Sequence, residues 1–253
     1  MVALVKLARQ RQAAMLDLIR HRRAVRIGEL VNEFGVSDLT VRRDLAALAG
    51  LGLVAKVHGG ATVPDYEPGF AAKATRRQAE KEAICALAAT LIRPGAAVAL
   101  SAGSTTAVLA QHLAALPGLT VVTNSLPVAA ALQSADQTVI LTGGTRTPSD
   151  ALVGPVAVAA IGQLHVDLLF LGVHGMSERT GFTTPNLLEA DTDRALIRSA
   201  RRLVVLADHT KWGMVGISTI AELAEADLLI TDAGLPEQAR RVLVSQVGEL
   251  RIV

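Results

Sequence analysis

From about residue 97 onward the sequence keeps repeating one pattern: a short continuous apolar run, a cluster of small polar residues, then a helical stretch. The runs are Ala97–Ser101, Thr120–Thr123, Val139–Thr142, Leu168–Gly172, Leu203–Asp208 and Leu228–Thr231, with Leu250–Val253 as a further candidate. Apolar runs that are continuous rather than alternating suit strands covered on both faces, as in a parallel sheet with helices on each side. An open sheet of that kind binds ligands at the carboxyl ends of its strands. The residues that directly follow each run are therefore the first candidates for chemistry.

Those residues are polar and small. Gly103, Ser104, Thr105 and Thr106 follow the first run and open a helix, where backbone N–H groups and the helix dipole favour an anion. Asn124 and Ser125 follow the second run, and Gly143 and Gly144, which let a ligand approach the backbone closely, follow the third. Asp208, His209, Thr210 and Lys211 follow the fifth. One Lys, one Asp, one Asn and several hydroxyls on one edge would suit a phosphorylated polyol. The competing reading is that each Gly-Ser-Thr stretch is an ordinary tight turn.

The aromatic residues are only Tyr66, Trp212 and four Phe, so the core has to be built from Ala, Val, Leu and Ile. No apolar run reaches the roughly 20 residues of a membrane span. The opening stretch before Arg9 and Arg11 lacks a signal-peptide pattern, and Cys85 is the single cysteine; a cytoplasmic protein is expected. Charge is unevenly placed. Residues 1–62 carry ten Lys/Arg against five acids, whereas residues 83–253 carry eleven against fourteen. A basic head on a mildly acidic body suggests that the head meets a polyanion.

In the head, Met15, Leu18 and Ile19 give the segment from about Gln12 to His21 one buried helical face. Val25–Ile27 alternates as a short strand, and Glu29–Phe34 reads as a second helix ended by Gly35. Ser37 is a good N-cap for a third helix, with Asp38 in its first turn and Val41, Leu45 and Leu48 as its buried stripe. Its other face presents Asp38, Thr40, Arg42 and Arg43. Leu53–His58 then alternates, with Lys56 and His58 on one side, before the turn at Gly59-Gly60. This order matches a winged helix-turn-helix, whose third helix enters the major groove of double-stranded DNA while basic residues neutralise phosphates. A small helical cap with a solvated Arg pair is the plainer alternative.

Phe34-Gly35-Val36-Ser37, Thr40-Val41-Arg42-Arg43-Asp44-Leu45 and His58-Gly59-Gly60-Ala61 resemble, in order and spacing, the DNA-binding signature of the DeoR family. Gly103-Ser104-Thr105-Thr106, Thr123-Asn124-Ser125, Thr142-Gly143-Gly144, Gly181-Phe182-Thr183 and Asp208-His209-Thr210-Lys211 resemble the successive blocks of that family's effector domain. The resemblance implies a helix-turn-helix proper over about Val25 to Asp44. It also implies a sensor domain similar in fold to ribose-5-phosphate isomerase and coenzyme A transferases. The expected α/β architecture is thus a winged helix-turn-helix over 1–62, a linker over 63–76 around Pro64, Pro68 and Gly69, and a mostly parallel effector domain over 77–253 that opens on a helix Arg77–Ile92.

The expected function is repression of a carbohydrate catabolic operon, with operator binding modulated by a phosphorylated sugar or related metabolite and no cofactor. Operator DNA would be met by Ser37, Asp38, Thr40, Arg42, Arg43, Lys56 and His58. The effector would be met by Gly103, Ser104, Thr105, Thr106, Asn124, Gly143, Gly144, Asp208 and Lys211. A homo-oligomer, dimer or tetramer, is expected from the half-sites such proteins read. One departure stands out: Ser101 ends the first strand where the family usually has Asp. His174 and His209 lack the companions of a metal site, and the acids Glu189, Asp191 and Asp193 suit a helix N-terminus. Ser104, Asp208 and His209 do not form a convincing triad, since an adjacent Asp and His cannot readily orient one another. The rival function is a sugar-phosphate isomerase carrying a DNA-binding head, which would need a carboxylate base; Ser101 removes one candidate. A nucleic-acid-binding module with no small ligand would leave the strand-end loops idle.

Overall fold

Three residues spaced as Val41, Leu45 and Leu48 can be buried together only on one face of a helix, and all three are buried. The computed structural model describes residues 8–22, 24–50, 53–57, 59–62 and 69–253. The chain divides into two compact units, Met1–Pro68 and Gly69–Val253. The first unit runs α1 (Ala8–Arg22), β1 (Ala24–Arg26), α2 (Ile27–Phe34), α3 (Asp38–Gly50), β2 (Ala55–Val57) and β3 (Gly60–Thr62). Its strands pair antiparallel in the order β1-β3-β2.

Met15 and Ile19 of α1, Leu30 of α2 and Val41, Leu45 and Leu48 of α3 form one core with Val25 and Ala61. Gly35 ends α2 in the left-handed region at φ 62°, and its N–H donates to the Val31 carbonyl at 2.9 Å. Gly60 is required for a different reason. A Cβ there would lie 2.3 Å from the Val25 carbonyl oxygen, so only glycine lets β3 pair with β1. Two starts differ from expectation: α1 begins at Ala8, and α2 begins at Ile27, which places Gly28 inside its first turn. His58 lies outside the described residues.

Asp44 fixes α1 to α3. It is 3% exposed and accepts from Arg11 Nε at 2.6 Å and from Gln12 Nε2 at 2.8 Å. An Arg-Arg-Asp sequence on α3 therefore sends two side chains outward and the third into the core.

The second unit begins earlier than expected, because α4 (Phe70–Ala74) falls inside the stretch read as linker and packs on α6. Then follow α5 (Gln78–Ala89), β4 (Ala97–Leu100), α6 (Ser104–Leu113), β5 (Thr120–Thr123), α7 (Leu126–Ala131), β6 (Thr138–Leu141) and a small hairpin of β7 (Thr145–Arg146) and β8 (Leu152–Val153). The chain continues through α8 (Pro155–Ile161), β9 (Leu168–Gly172), β10 (Gly175–Ser177), β11 (Gly181–Thr184), α9 (Leu187–Ser199) and β12 (Leu203–Leu206). It closes with β13 (Ser218–Ala221), β14 (Leu228–Thr231), α10 (Glu237–Gln246) and β15 (Leu250–Ile252). Arg77, expected as the first residue of α5, instead stands before it in the left-handed region at φ 52° and pairs with Glu80.

Seven strands form a wholly parallel sheet in the order β15-β14-β12-β9-β4-β5-β6. Alternate residues of each strand serve opposite cores. Val98, Leu100, Val121, Phe170, Val204 and Leu206 pack with Ile84 of α5 and Leu109 of α6. Ala99, Val122, Leu169, Leu171 and Val205 pack with Ile161 of α8, Leu196 of α9 and Leu243 of α10. A separate antiparallel sheet, β10-β11-β13, adds Met176, Phe182 and Ile220 to the second core. The strand order reverses between β4 and β9, so the ligand-binding crevice of such a sheet falls at their carboxyl ends.

Replacing Asp44 by Ala removes the buried carboxylate that accepts from both Gln12 and Arg11, the latter 12% exposed at its side chain. Loss of one partner of a buried pair costs about 3–5 kcal/mol, a large fraction of what a domain this small can hold. Hydrogen exchange should therefore accelerate sharply in α1 and α3 while amides of the parallel sheet stay protected. Unchanged protection in α3 would show that the pair does not hold the first unit together.

Candidate DNA-reading helix and effector pocket

The N-terminus of α3 is organised by its own hydroxyls. Ser37 Oγ accepts from the Thr40 amide at 3.3 Å and shares a hydrogen bond with Thr40 Oγ1 at 2.9 Å. Ser37 caps the helix, and the Thr40 hydroxyl holds the Ser37 side chain in that position. Asp38 and Arg42, one turn apart and both exposed, form an ion pair through Arg42 Nε and Asp38 Oδ1. That hydrogen bond and the adjacent negative charge raise the Arg42 pKa further. Arg43 and Lys56 are also exposed, and among the described residues neither is joined to a carboxylate. The outward face of α3 thus offers one cation already neutralised in part by its own helix and another that is not.

In the second unit the loop after β4 divides into presented and internal groups. Gly103 and Ser104 are partly exposed, whereas Thr105 and Thr106 are buried. Thr106 Oγ1 donates to the carbonyls of Ser101 at 2.7 Å and Gly103 at 2.9 Å. Contrary to the expectation that it meets the effector, Thr106 ties the loop to itself. Asn124 departs from expectation in the same way. It is 1% exposed; its Oδ1 accepts from the Ala102 amide at 2.9 Å and its Nδ2 donates to the Leu152 carbonyl at 3.2 Å. Its polar ends hold the β4 loop and β8, so it shapes the crevice from behind.

Gly143 and Gly144 are not gathered with the other candidates. They follow β6, the edge strand, four strands from β12; at about 4.8 Å per strand that is about 19 Å. Gly144, at φ 120°, is glycine because a Cβ would lie 2.5 Å from the Val153 carbonyl oxygen. The hairpin accounts for it without a ligand. By contrast β4 and β12 are two strands apart, about 10 Å, a span a small phosphorylated metabolite could bridge.

Asp208 and Lys211 do stand at that edge. Asp208, 3% exposed, caps the short turn that follows β12, accepting from the Thr210 amide at 3.0 Å and from the Thr210 hydroxyl. Lys81 of α5, which no sequence motif singled out, joins them. It is 3% exposed, and its Nζ donates to the Lys73 carbonyl at 2.7 Å. Burial pushes its pKa down to about 8; the Asp208 carboxylate opposes this, while the positive charges of Lys211 and Arg76 add to it. One turn further along α5, Cys85 Sγ donates to the Thr105 carbonyl at 3.1 Å. This places α5 alongside both the loop after β4 and the turn after β12.

His209 has a partner that sequence proximity concealed. Its Nδ1 bonds Asp232 Oδ2 at 2.6 Å, and its amide donates to Asp232 Oδ1 at 2.7 Å. Burial alone would raise the Asp232 pKa, but the amides of His209 and Gly234 and the imidazole outweigh it and hold the carboxyl below its usual range. Asp232 follows β14 just as Asp208 follows β12; an acid at the end of an apolar run was the available signal.

Residues 11–67 match the model of the DeoR-like helix-turn-helix domain, and residues 76–233 match that of the DeoR C-terminal sensor domain. The chain belongs to the DeoR family. It is 37% identical over 242 residues, 94% of each chain, to the HTH-type transcriptional regulator YgbI of Escherichia coli K12. To the regulator GolR of Listeria innocua it is 36% identical, across 88% of this chain and 90% of that one. To the glycerol-3-phosphate regulon repressor of E. coli K12 it is 31% identical, across 96% and 98%. Among solved structures, ribose 5-phosphate isomerase A of Methanocaldococcus jannaschii overlaps 52% of this chain and 53% of its own at 17% identity, with a TM-score of 0.39.

The chain is a DNA-binding transcriptional regulator of the DeoR type, and α3 lies within the residues that match the helix-turn-helix model. In its sensor domain Ser101 is fully buried, and its Oγ accepts from the Gly172 amide at 3.0 Å. The hydroxyl therefore bridges the two strands where the sheet order reverses, and this regulator carries no carboxylate at that point. Cys85 is equally enclosed, and burial and the nearby Glu82 push its thiol up to about 12. Among the described residues no cluster of three or more His, Cys, Asp or Glu could hold a metal ion, and no helix is long and apolar enough to cross a membrane.

Asn124→Ala should destabilise the sensor domain by about 1–3 kcal/mol, because it leaves the buried Leu152 carbonyl without its donor, and removal of the acceptor of the part-buried Ala102 amide adds to that loss. Urea unfolding of wild type and variant measures this. A loss below about 1 kcal/mol would return Asn124 to the ligand-facing set.

Proposed function

We propose that this regulator represses a carbohydrate catabolic operon and that a phosphorylated sugar or related metabolite, bound at the carboxyl edge of the sensor sheet, sets its affinity for the operator. The observation that carries the reading is Lys81, a lysine only 3% exposed whose Nζ donates to the Lys73 carbonyl, close to the buried Asp208 and the half-buried Lys211 and Arg76. A buried ammonium is costly, and an anion bound beside it relieves that cost. Gly103 and Ser104, presented at the start of α6, supply amide and hydroxyl donors for the same anion. Asp208 is placed to accept from a sugar hydroxyl or to hold Lys211. The relative that represses a glycerol-3-phosphate regulon supports an effector of this chemical class.

In this reading the protein acts in the cytoplasm as a homo-oligomer, dimer or tetramer, with recognition helices that meet two half-sites of double-stranded DNA. Arg43 and Lys56 carry most of the phosphate contact, Arg42 contributes once Asp38 gives way, and His58 is a further DNA contact. The sensor domain binds its ligand without turning it over. The His209–Asp232 pair is the observation on the side of catalysis, since Asp232 orients the imidazole through Nδ1. Measurable isomerisation of a cognate sugar phosphate, abolished by Asp208→Asn, would promote the enzyme reading.

The direct test is operator affinity across a titration of sugar phosphates and their unphosphorylated parents. An effector shifts the DNA-bound population only through unequal affinity for the two states. At least one phosphorylated compound should shift operator affinity while its parent sugar does not. Lys211→Ala should leave operator binding without effector near wild type and raise the effector concentration at half-response at least tenfold. An unchanged midpoint would remove Lys211 from the site, and loss of operator binding without effector would make its role structural.

Lys81 adds a pH dependence. With a pKa of about 8 in the empty pocket, its ammonium is charged below pH 8, and an anion raises that pKa. Binding above pH 8 must then take up a proton, so affinity should fall by up to about tenfold per pH unit. Between about pH 7 and 8 it should be nearly flat, since the second ionisation of a phosphate monoester lies near 6. Calorimetric titration in buffers of different ionisation enthalpy measures the proton uptake; affinity unchanged from pH 7 to 9.5 would exclude Lys81.

A further inference from the structure

Leu39 is the large apolar side chain of the DNA-binding unit that stays in solvent: among that unit's described residues it alone is both large and exposed, at 68%. Its place on α3 is specific. Val41, Asp44, Leu45 and Leu48 point into the core, so the opposite face runs Leu39, Arg42, Arg43 and Ala46, each exposed. Leu39 lies in the first turn of α3, beside the capping Ser37 and Thr40 and one turn before Arg43.

A single exposed leucine on an ordinary surface would need no explanation. On this helix it has one, because the N-terminal residues of a recognition helix are those that reach base edges in the major groove. An isobutyl group has no hydrogen-bonding atom. The apolar feature that the four standard base pairs present in the major groove is the thymine 5-methyl. Arg42 and Arg43 stand to either side and suit phosphates or the acceptor atoms of guanine, but neither recognises the thymine methyl. We propose that Leu39 is a specificity-determining residue that packs on the 5-methyl group of one thymine in each operator half-site.

The test replaces that methyl by hydrogen. Duplexes selected from a random library by the full-length wild-type protein are rebuilt with deoxyuridine at each thymine in turn, and affinities are measured for wild type and Leu39→Ala. At one thymine per half-site the replacement should weaken wild-type binding about fourfold, the factor one buried methyl group supplies. At that same position Leu39→Ala should be indifferent to the change, so that the two losses do not add. The exposed position of Leu39 means that its removal should leave the melting curve of the full-length protein unaltered. The proposal fails if no thymine is sensitive, or if deoxyuridine weakens both proteins equally. It also fails if Leu39→Ala lowers the oligomeric state in sedimentation and weakens binding to all sequences alike, which would place Leu39 against a second copy of the chain.

Discussion

A parallel strand cannot turn directly into its neighbour; each one needs a crossover that returns to the starting edge. In this sensor domain that constraint puts α5, α6 and α7 over one face of the sheet and α8, α9 and α10 over the other. It buries most residues of the five inner strands and leaves the carboxyl edge as the place where the chain can show polar groups. The reversal of strand order between β4 and β9 opens the crevice there. Gly103 and Ser104 after β4 and Asp208 and Lys211 after β12, far apart in sequence, lie along this one edge because the crossovers all bring the chain back the same way.

Charge placement divides the labour in both units. In the DNA-binding unit Asp44 is turned inward to Arg11, whereas Asp38 stays outside on Arg42. The inner pair sets where α3 sits, and the outer one moderates how much charge α3 shows. In the sensor domain Lys81 is buried close to Asp208, with the positive charges of Lys211 and Arg76 acting on it as well. The first arrangement is complete without a ligand; the second is the kind that a bound anion improves.

Most of the frame was legible in the sequence, because the continuous apolar runs mark buried parallel strands, and the periodicity of Val41, Leu45 and Leu48 marks the inner face of α3. The antiparallel sheet of β10, β11 and β13 was not: its strands are three or four residues long and built largely of Gly, Ser and Thr, so they carry no apolar alternation. Of the candidate site residues, the strand-end position was readable but the direction of each side chain was not. Thr106 and Asn124 look like ligand groups in a list of hydroxyls and amides, yet both satisfy backbone groups that the fold would otherwise strand. Lys81 was hidden for the opposite reason. A lysine in an amphipathic helix reads as solvated, and only the packing of α5 beside the β12 turn puts it indoors. Asp232 was passed over because its partner His209 lies 23 residues away.

The central claim is that the carboxyl edge of the sensor sheet holds an anion through Lys81 and its neighbours. Thermal unfolding of the full-length protein in phosphate and in chloride at equal ionic strength tests it most directly, with Lys81→Met run alongside to remove general salt effects. A ligand of the native state raises the transition by mass action. The account predicts that phosphate raises the wild-type sensor transition beyond the chloride value and that the excess disappears in Lys81→Met. Equal shifts in the two proteins, or no excess in wild type, would contradict it.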